Sequence, residues 1–472
     1  MVFNSLEYAV FFPTVLVAYW LLRRRKPQNA LLLIASYVFY GAWDARFLTL
    51  MMFSTITDFT VGRWLESTED DRRRKRIFLI SLFVNLGILG FFKYFNFFID
   101  STAGLLANLG LQPNLPTLRI LLPVGISFYT FHGISYTFDV YRRQIRATNN
   151  LLDFACFIAF FPQLVAGPIG RAHIQLPQFE HERARPTAQG LRSAFFLILL
   201  GLFKKVAIAD ALSPYVDQAF RGSSRAGAVS LLIGMYAFAL QIYGDFSGYT
   251  DIARGSARLL GIELIRNFEQ PYLSRNVTEF WRRWHISLST WLRDYLYVSL
   301  GGNRGSRLRT YRNIMLTMLL GGLWHGAAWT FVVWGGLHGL FLIAHRAFGR
   351  PQRYDAEAES VRMRDALPIL ATFHLVCVAW IFFRANSLQQ AVTYITGIIT
   401  LRGGAINVNA AALLLASAAA MLIIDVLQRN RHTETPVLDW GPVARGVAYA
   451  VMVVAILIFS GGTPVPFIYF QF

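Results

Sequence analysis

Between Arg312 and Arg346 the chain runs for 33 residues without a single Asp, Glu, Lys or Arg. About 20 apolar residues in a helix suffice to cross a bilayer, so this one run exceeds what a span needs. It is not isolated. Only 15% of the 472 residues are charged and 55% are hydrophobic, whereas soluble domains carry roughly a quarter charged residues. The length alone would suggest about three soluble domains, but the long uncharged runs and positive mean hydropathy overturn that reading. The chain is expected to be an all-α polytopic membrane protein, one membrane-embedded domain over residues 1–472.

Lys and Arg number 45 against 27 Asp and Glu, a net charge of +18. In a soluble protein such an excess would point to nucleic acid. Here the basic residues cluster between apolar runs, at Arg23–Lys26, Arg72–Arg76 and Arg142–Arg143. Retention of Lys and Arg on the cytoplasmic side of a membrane explains that pattern, and no nucleic-acid partner is expected. Membrane lipids are the surroundings instead. Cys156 and Cys377 both sit in apolar stretches and fill space, offering neither a disulfide framework nor a metal pair. The N-terminus carries Glu7 and no basic residue before its first apolar run, the reverse of a cleavable signal peptide. The first span is therefore expected to stay, with its N-terminus outside.

Candidate spans cover about 6–22, 29–43, 45–62, 77–99, 120–141, 151–169, 190–218, 227–246, 312–345, 366–384, 407–427 and 443–460. The uncharged stretch Ser101–Thr117 suits an outside loop. Segments 120–141 and 151–169 contain Pro123, Gly125, Gly133, Pro162, Gly167 and Pro168. Broken backbone at membrane depth survives only inside protein or beside water, so these segments read either as re-entrant elements lining a cavity or as kinked spans. Residues 245–312 differ, with 17 charged residues in 68 and tryptophans and tyrosines packed between 281 and 297. They read as a polar amphipathic insert. Gly349–Asp365 balances four Arg against four acids and reads as a surface loop.

An ionisable residue within an apolar span is a functional candidate by default. Five histidines lie in or near such segments: His132, His325, His338, His345 and His374. His325 stands in the otherwise apolar run Leu319–Trp329, with glycines and alanines on both sides that leave room for a ligand. It can accept and return a proton near neutral pH, or it can be a core histidine bonded to a backbone carbonyl. His285 is the second candidate. Asn276 and Glu279 make a helix-start signal, and Trp281, His285, Leu288 and Leu292 recur at spacings of 4, 3 and 4, one helix face. His285 then points inward, as a site residue or as a packed ring beside Trp284. Arg282, Arg283 and Arg293 can attract an anionic donor or simply face solvent. No ligand cluster supports a metal, no phosphate-binding loop supports an ATP-driven pump, and Gly244–Gly248 is not a nucleophile elbow. Asp210, Asp245 and Asp251 keep a proton or ion path open.

Several stretches also carry a family likeness: Phe91–Asn96, Leu122–Phe131, Phe161–Ile169, Asp245–Ala253, Phe280–Ser289, Gly322–Ala327 and the terminal Pro466–Phe472. In order and density they resemble the bacterial branch of the membrane-bound O-acyltransferases, of the type of the membrane subunit in alginate O-acetylation. The resemblance implies a ring of tilted transmembrane and re-entrant helices around a thin central funnel. It implies that His325 matches the catalytic histidine and His285 a second active-site histidine. It also implies an O-acyltransferase of the bacterial inner membrane that moves an acetyl group from a cytoplasmic donor toward a hydroxyl acceptor. The expected donor is acetyl-CoA or another acyl thioester, with no permanently bound cofactor and no metal. The expected partners are periplasmic acetyltransferases that finish the transfer onto the polymer. Alginate, cellulose and peptidoglycan all remain open as that polymer, and a lipid-linked sugar transporter or a synthase scaffold are the non-enzymatic alternatives.

Overall fold

The computed structural model describes residues 1–111, 118, 120–164, 167–349, 360–461 and 465–470. Every regular element among them is helical. Among the described residues, seven helical stretches are long and apolar enough to cross a membrane, including Ala228–Leu259, Trp329–Phe348, Val408–Asn430 and Pro442–Phe459. The protein is a multi-pass, all-α membrane protein. Its chain divides into two compact units, Met1–Pro186 with Ser256–Leu264, and Thr187–Gly255 with Ile265–Phe472.

In the first unit, Leu48–Glu66, Asp71–Leu89 and Ile126–Tyr141 pack around a polar centre. Asp58, 1% exposed, accepts from Ser81 Oγ at 2.6 Å and Asn85 Nδ2 at 2.8 Å. Such partners are what make a carboxyl tolerable away from water. A Cβ at Gly133 would collide with the Asp58 carboxylate, so glycine is what lets the third helix close on it. Helix Ile126–Tyr141 begins only after Gly125, whose φ of 75° suits a residue without a Cβ. The candidate span 120–141 is thus shorter than expected. Segment 151–169 is not one span either. Pro162 and its neighbours split it into Leu151–Ala159 and Phe161–Leu164, both buried. Nine residues of helix rise only about 13 Å, too little to cross. Residues 165–166 lie outside the described residues.

The second unit holds the site. Ala188–Leu202 and Ala211–Arg221 are joined without a break by a π-helical stretch, Phe203–Asp210. The stretch is enclosed on every side from Phe203 to Ala209, so consecutive Lys204 and Lys205 are both inside, at 3% and 0% exposed. The helix opposite, Ala228–Leu259, continues well past the expected end at 246. Gly201 and Gly248 let these two segments touch backbone to backbone, since a Cβ at Gly248 would stand 2.7 Å from the Gly201 carbonyl oxygen. After Leu259 come the short elements Val277–Arg283, Ile286–Trp291 and Leu292–Tyr297. The 33-residue uncharged run is two helices rather than one span, Arg307–His325 and Trp329–Phe348, parted at Gly326–Ala328. Ser101–Asn108, expected as loop, ends the helix Phe95–Asn108, and residues 112–117 lie outside the described residues. So do residues 350–359 of the expected Gly349–Asp365 loop.

Candidate active site

His325 is the last residue of Arg307–His325, where Gly326 turns to extended backbone and ends the helix. It is 5% exposed. Its ring centroid lies 5.0 Å from Trp324, 5.0 Å from Trp334 and 5.3 Å from Phe383. The glycines beside it serve packing rather than open space. A Cβ at Gly322 would strike the Phe331 carbonyl and stand 3.2 Å from Gly335 Cα, and one at Gly326 would enter the Phe331 ring. These contacts hold the two halves of the hairpin tight at the level of His325.

His285 is fully buried, as its place in the apolar stripe predicts, but not on a continuous helix. Asn276 caps the start, accepting from the Glu279 amide at 2.8 Å, while Glu279 accepts from the Arg275 amide at 2.9 Å. The helix then stops at Arg283 and His285 adopts φ 42°. The next helix begins at Ile286 because Asn267 captures its first amides. Its carbonyl takes the Ile286 N–H at 2.9 Å and its side-chain oxygen takes Ser287 N–H at 3.1 Å. The 4-3-4 spacing therefore spans a break. Neither ring nitrogen of His285 makes a hydrogen bond among the described residues.

The two histidine rings stand 6.5 Å apart, centroid to centroid. Phe246 meets His285 edge-on at 4.6 Å, and Trp324 lies beside both histidines. A third polar group, absent from the sequence-based site, joins them. Tyr469 lies 5.5 Å from His325 and 6.4 Å from His285, its hydroxyl buried and without a hydrogen-bond partner among the described residues. Its only signal in the sequence is membership of the terminal run Pro466–Phe472, of which 471–472 lie outside the described residues.

The remaining candidates disperse. His338 is buried and accepts from Trp281 Nε1 at 3.3 Å. His345 meets Thr278 Oγ1 at 2.8 Å, His132 accepts from the Gly170 amide at 2.8 Å, and His374 is exposed and bonds the Leu370 carbonyl oxygen. Arg283 and Arg293 are committed to ion pairs with Glu279 and Asp294, while Arg282 is exposed. Burial pushes the Glu279 carboxyl up, but the Arg275 amide and the guanidiniums of Arg283, Arg429 and Arg275 outweigh it and hold the group below its usual range. Asp251 pairs with Lys204 at 2.8 Å, and Asp210 and Asp245 both pair with Lys205, at 2.7 and 2.8 Å. The aspartates thus form closed ion pairs.

A sequence model described as MBOAT, the membrane-bound O-acyltransferase family, matches residues 33–388. A protein of Pseudomonas aeruginosa named probable alginate O-acetylase is 45% identical over 392 residues, 83% of this chain and 73% of its own length. One of the same name from Pseudomonas putida is 39% identical over the full length of both. A peptidoglycan O-acetyltransferase of Helicobacter pylori is 35% identical, covering 85% of this chain and 80% of its own.

Proposed function

The chain belongs to the membrane-bound O-acyltransferase family, and we propose that this membrane O-acyltransferase moves an acetyl group from a cytoplasmic acyl thioester such as acetyl-CoA toward a hydroxyl acceptor outside the bacterial inner membrane. The observation that carries the mechanism is the pair of buried histidines 6.5 Å apart inside an aromatic wall. His285 is 0% and His325 5% exposed, so their hydrogen bonds and charges act at lower dielectric than in water.

His325 is the general base. It takes the proton of the acceptor hydroxyl as the oxygen attacks the thioester carbonyl carbon, and the carbonyl electron pair moves onto oxygen. His285, whose ring nitrogens make no hydrogen bond among the described residues, donates a hydrogen bond to that oxyanion. Collapse re-forms the carbonyl, breaks the carbon–sulfur bond and passes the His325 proton to the departing thiolate. General-base assistance contributes typically about 10²–10⁴-fold, and a single oxyanion donor about 10²–10³-fold.

The polymer served is exopolysaccharide, alginate being the one named by the relatives at 39–45% identity. Periplasmic acetyltransferase partners take over the acetyl group for the final transfer. The test is acetyl transfer from labelled acetyl-CoA by membrane vesicles carrying the protein and its partners, offered alginate, cellulose or peptidoglycan. Label in alginate, dependent on His325, supports the reading. Label in peptidoglycan alone overturns the polymer assignment, and no label in any polymer overturns the donor.

A further inference from the structure

One buried ion-pair cluster that the acyl-transfer chemistry does not use, that of Lys205, meets the C-terminal segment. Lys205 is 0% exposed. Its ammonium pairs with Asp210 and Asp245 and also donates to the Val465 carbonyl oxygen at 2.9 Å. The Asp245 carboxylate accepts the Ile468 amide at 2.7 Å. These two hydrogen bonds grip the terminal segment on either side of Phe467, which is fully buried and packs 4.4 Å from Tyr249 and 5.6 Å from Phe246. The next residue after the gripped amide is Tyr469, facing both histidines.

We propose that Lys205 and Asp245 are positioning residues whose buried ion pair latches the C-terminal segment, so that Tyr469 is held against His285 and His325. A buried ion pair adds little net stability, because desolvation offsets its attraction, but it fixes geometry. This one presents a donor and an acceptor at fixed points, to the Val465 carbonyl and the Ile468 amide. Their effect on acetyl transfer rests on the two-histidine reading above, whereas the seating of the segment does not.

The experiment separates the two. Tyr469→Cys places a thiol at the end of the latch, and the native Cys156 and Cys377 are both buried, so maleimide labelling in membranes reads the seating of the segment. Asp245→Ala removes the acceptor while Lys205 keeps Asp210. Ile468→Pro removes the tail amide and leaves all three charges in place, at the first position of a short helix where proline is tolerated. Because Ile468 is also buried, Ile468→Ala, which keeps the amide, is the control for the lost side chain and is expected to label more slowly than Ile468→Pro. Asp245→Ala and Ile468→Pro, each made in the Tyr469→Cys background, are expected to speed labelling at position 469 by at least about tenfold, as a locally opened segment does. Asp245→Asn keeps a carbonyl oxygen for the Ile468 amide but loses the charge that pairs with Lys205, so its labelling is expected to fall between the parent and Asp245→Ala rates; a rate equal to the parent's overturns the ion pair's part in the latch. With Tyr469 present, Ile468→Pro and Asp245→Ala are expected to lower kcat by about tenfold or more with KM little changed, at equal membrane abundance, because lost positioning acts on turnover. Unchanged labelling with either change overturns the latch. Faster labelling with undiminished transfer overturns the positioning role. Full transfer by His325→Ala overturns the two-histidine chemistry and leaves the latch standing.

Discussion

His285 is a non-glycine residue in the left-handed region, a conformation that costs on the order of 1 kcal/mol and persists only where the surroundings impose it. Asn267, fully buried, imposes it by taking the amides of Ile286 and Ser287. Asn267→Ala is therefore expected to destabilise the protein by about 1–3 kcal/mol, the cost of a buried donor left unsatisfied, and to lower turnover more than binding. Thermal unfolding in detergent and steady-state kinetics check the two effects. The burial of His285 was legible in the spacing of Trp281, His285 and Leu288, but its backbone was not, because the residue that breaks the helix lies 18 positions upstream. Glu434 supplies a pH test. Burial pushes its carboxyl up, but the bidentate Arg254 pair and Arg266 outweigh this and hold it at about 2. Its folded-state value is depressed, so its stabilisation of about 3 kcal/mol is present above its ordinary pKa near 4.5 and lost as pH falls from there toward 2. The difference in unfolding temperature between wild type and Glu434→Gln is expected to be full at pH 7 and to shrink below pH 4.5. A constant difference across that window would contradict it.

At the scale of elements, the hairpin Arg307–His325 and Trp329–Phe348 depends on glycine meeting glycine. Gly322 and Gly335 sit where a Cβ would stand about 3.2 Å from the other's Cα, and close helix approach in membranes relies on such small residues. Gly322→Val is expected to cost about 1–3 kcal/mol through overpacking and to lower activity by shifting His325. Gly87→Ala, with nothing within 4 Å of the added Cβ, is expected to do neither; equal losses in both would show that the hairpin contact is not special. The apolar runs made most long helices legible. The break inside 313–345 was not, since the charge-free run looks continuous, and what parts it is the fit of Gly326 against the Phe331 ring. The π-helical stretch at Lys204–Lys205 was hidden for a related reason. A lysine pair in sequence reads as a solvated face, whereas here every residue from Phe203 to Ala209 is buried, and that enclosure comes from neighbours distant in sequence.

For the whole molecule, the basic clusters Arg23–Lys26 and Arg72–Arg76 are separated by two helices, Arg25–Asp44 and Leu48–Glu66, and positive charge is retained in the cytoplasm. Cysteines placed at 24 and 70 are expected to label only from the cytoplasmic side of sealed vesicles; opposite sidedness at the two positions would contradict the arrangement. The family was legible because its motifs are local, and the burial of each histidine was legible from the apolar residues around it. Tyr469 was not, because only the folded chain brings its C-terminal segment, 144 positions downstream, against His325. The most direct measurement is acetyl content of the secreted polysaccharide in cells carrying wild type, His325→Ala or His285→Ala, at membrane levels matched by blot. The two-histidine mechanism predicts that His325→Ala lowers acetylation by about 10²-fold or more and that His285→Ala lowers it by a comparable factor. Acetylation retained in His325→Ala at equal protein level would make that histidine structural and contradict the mechanism.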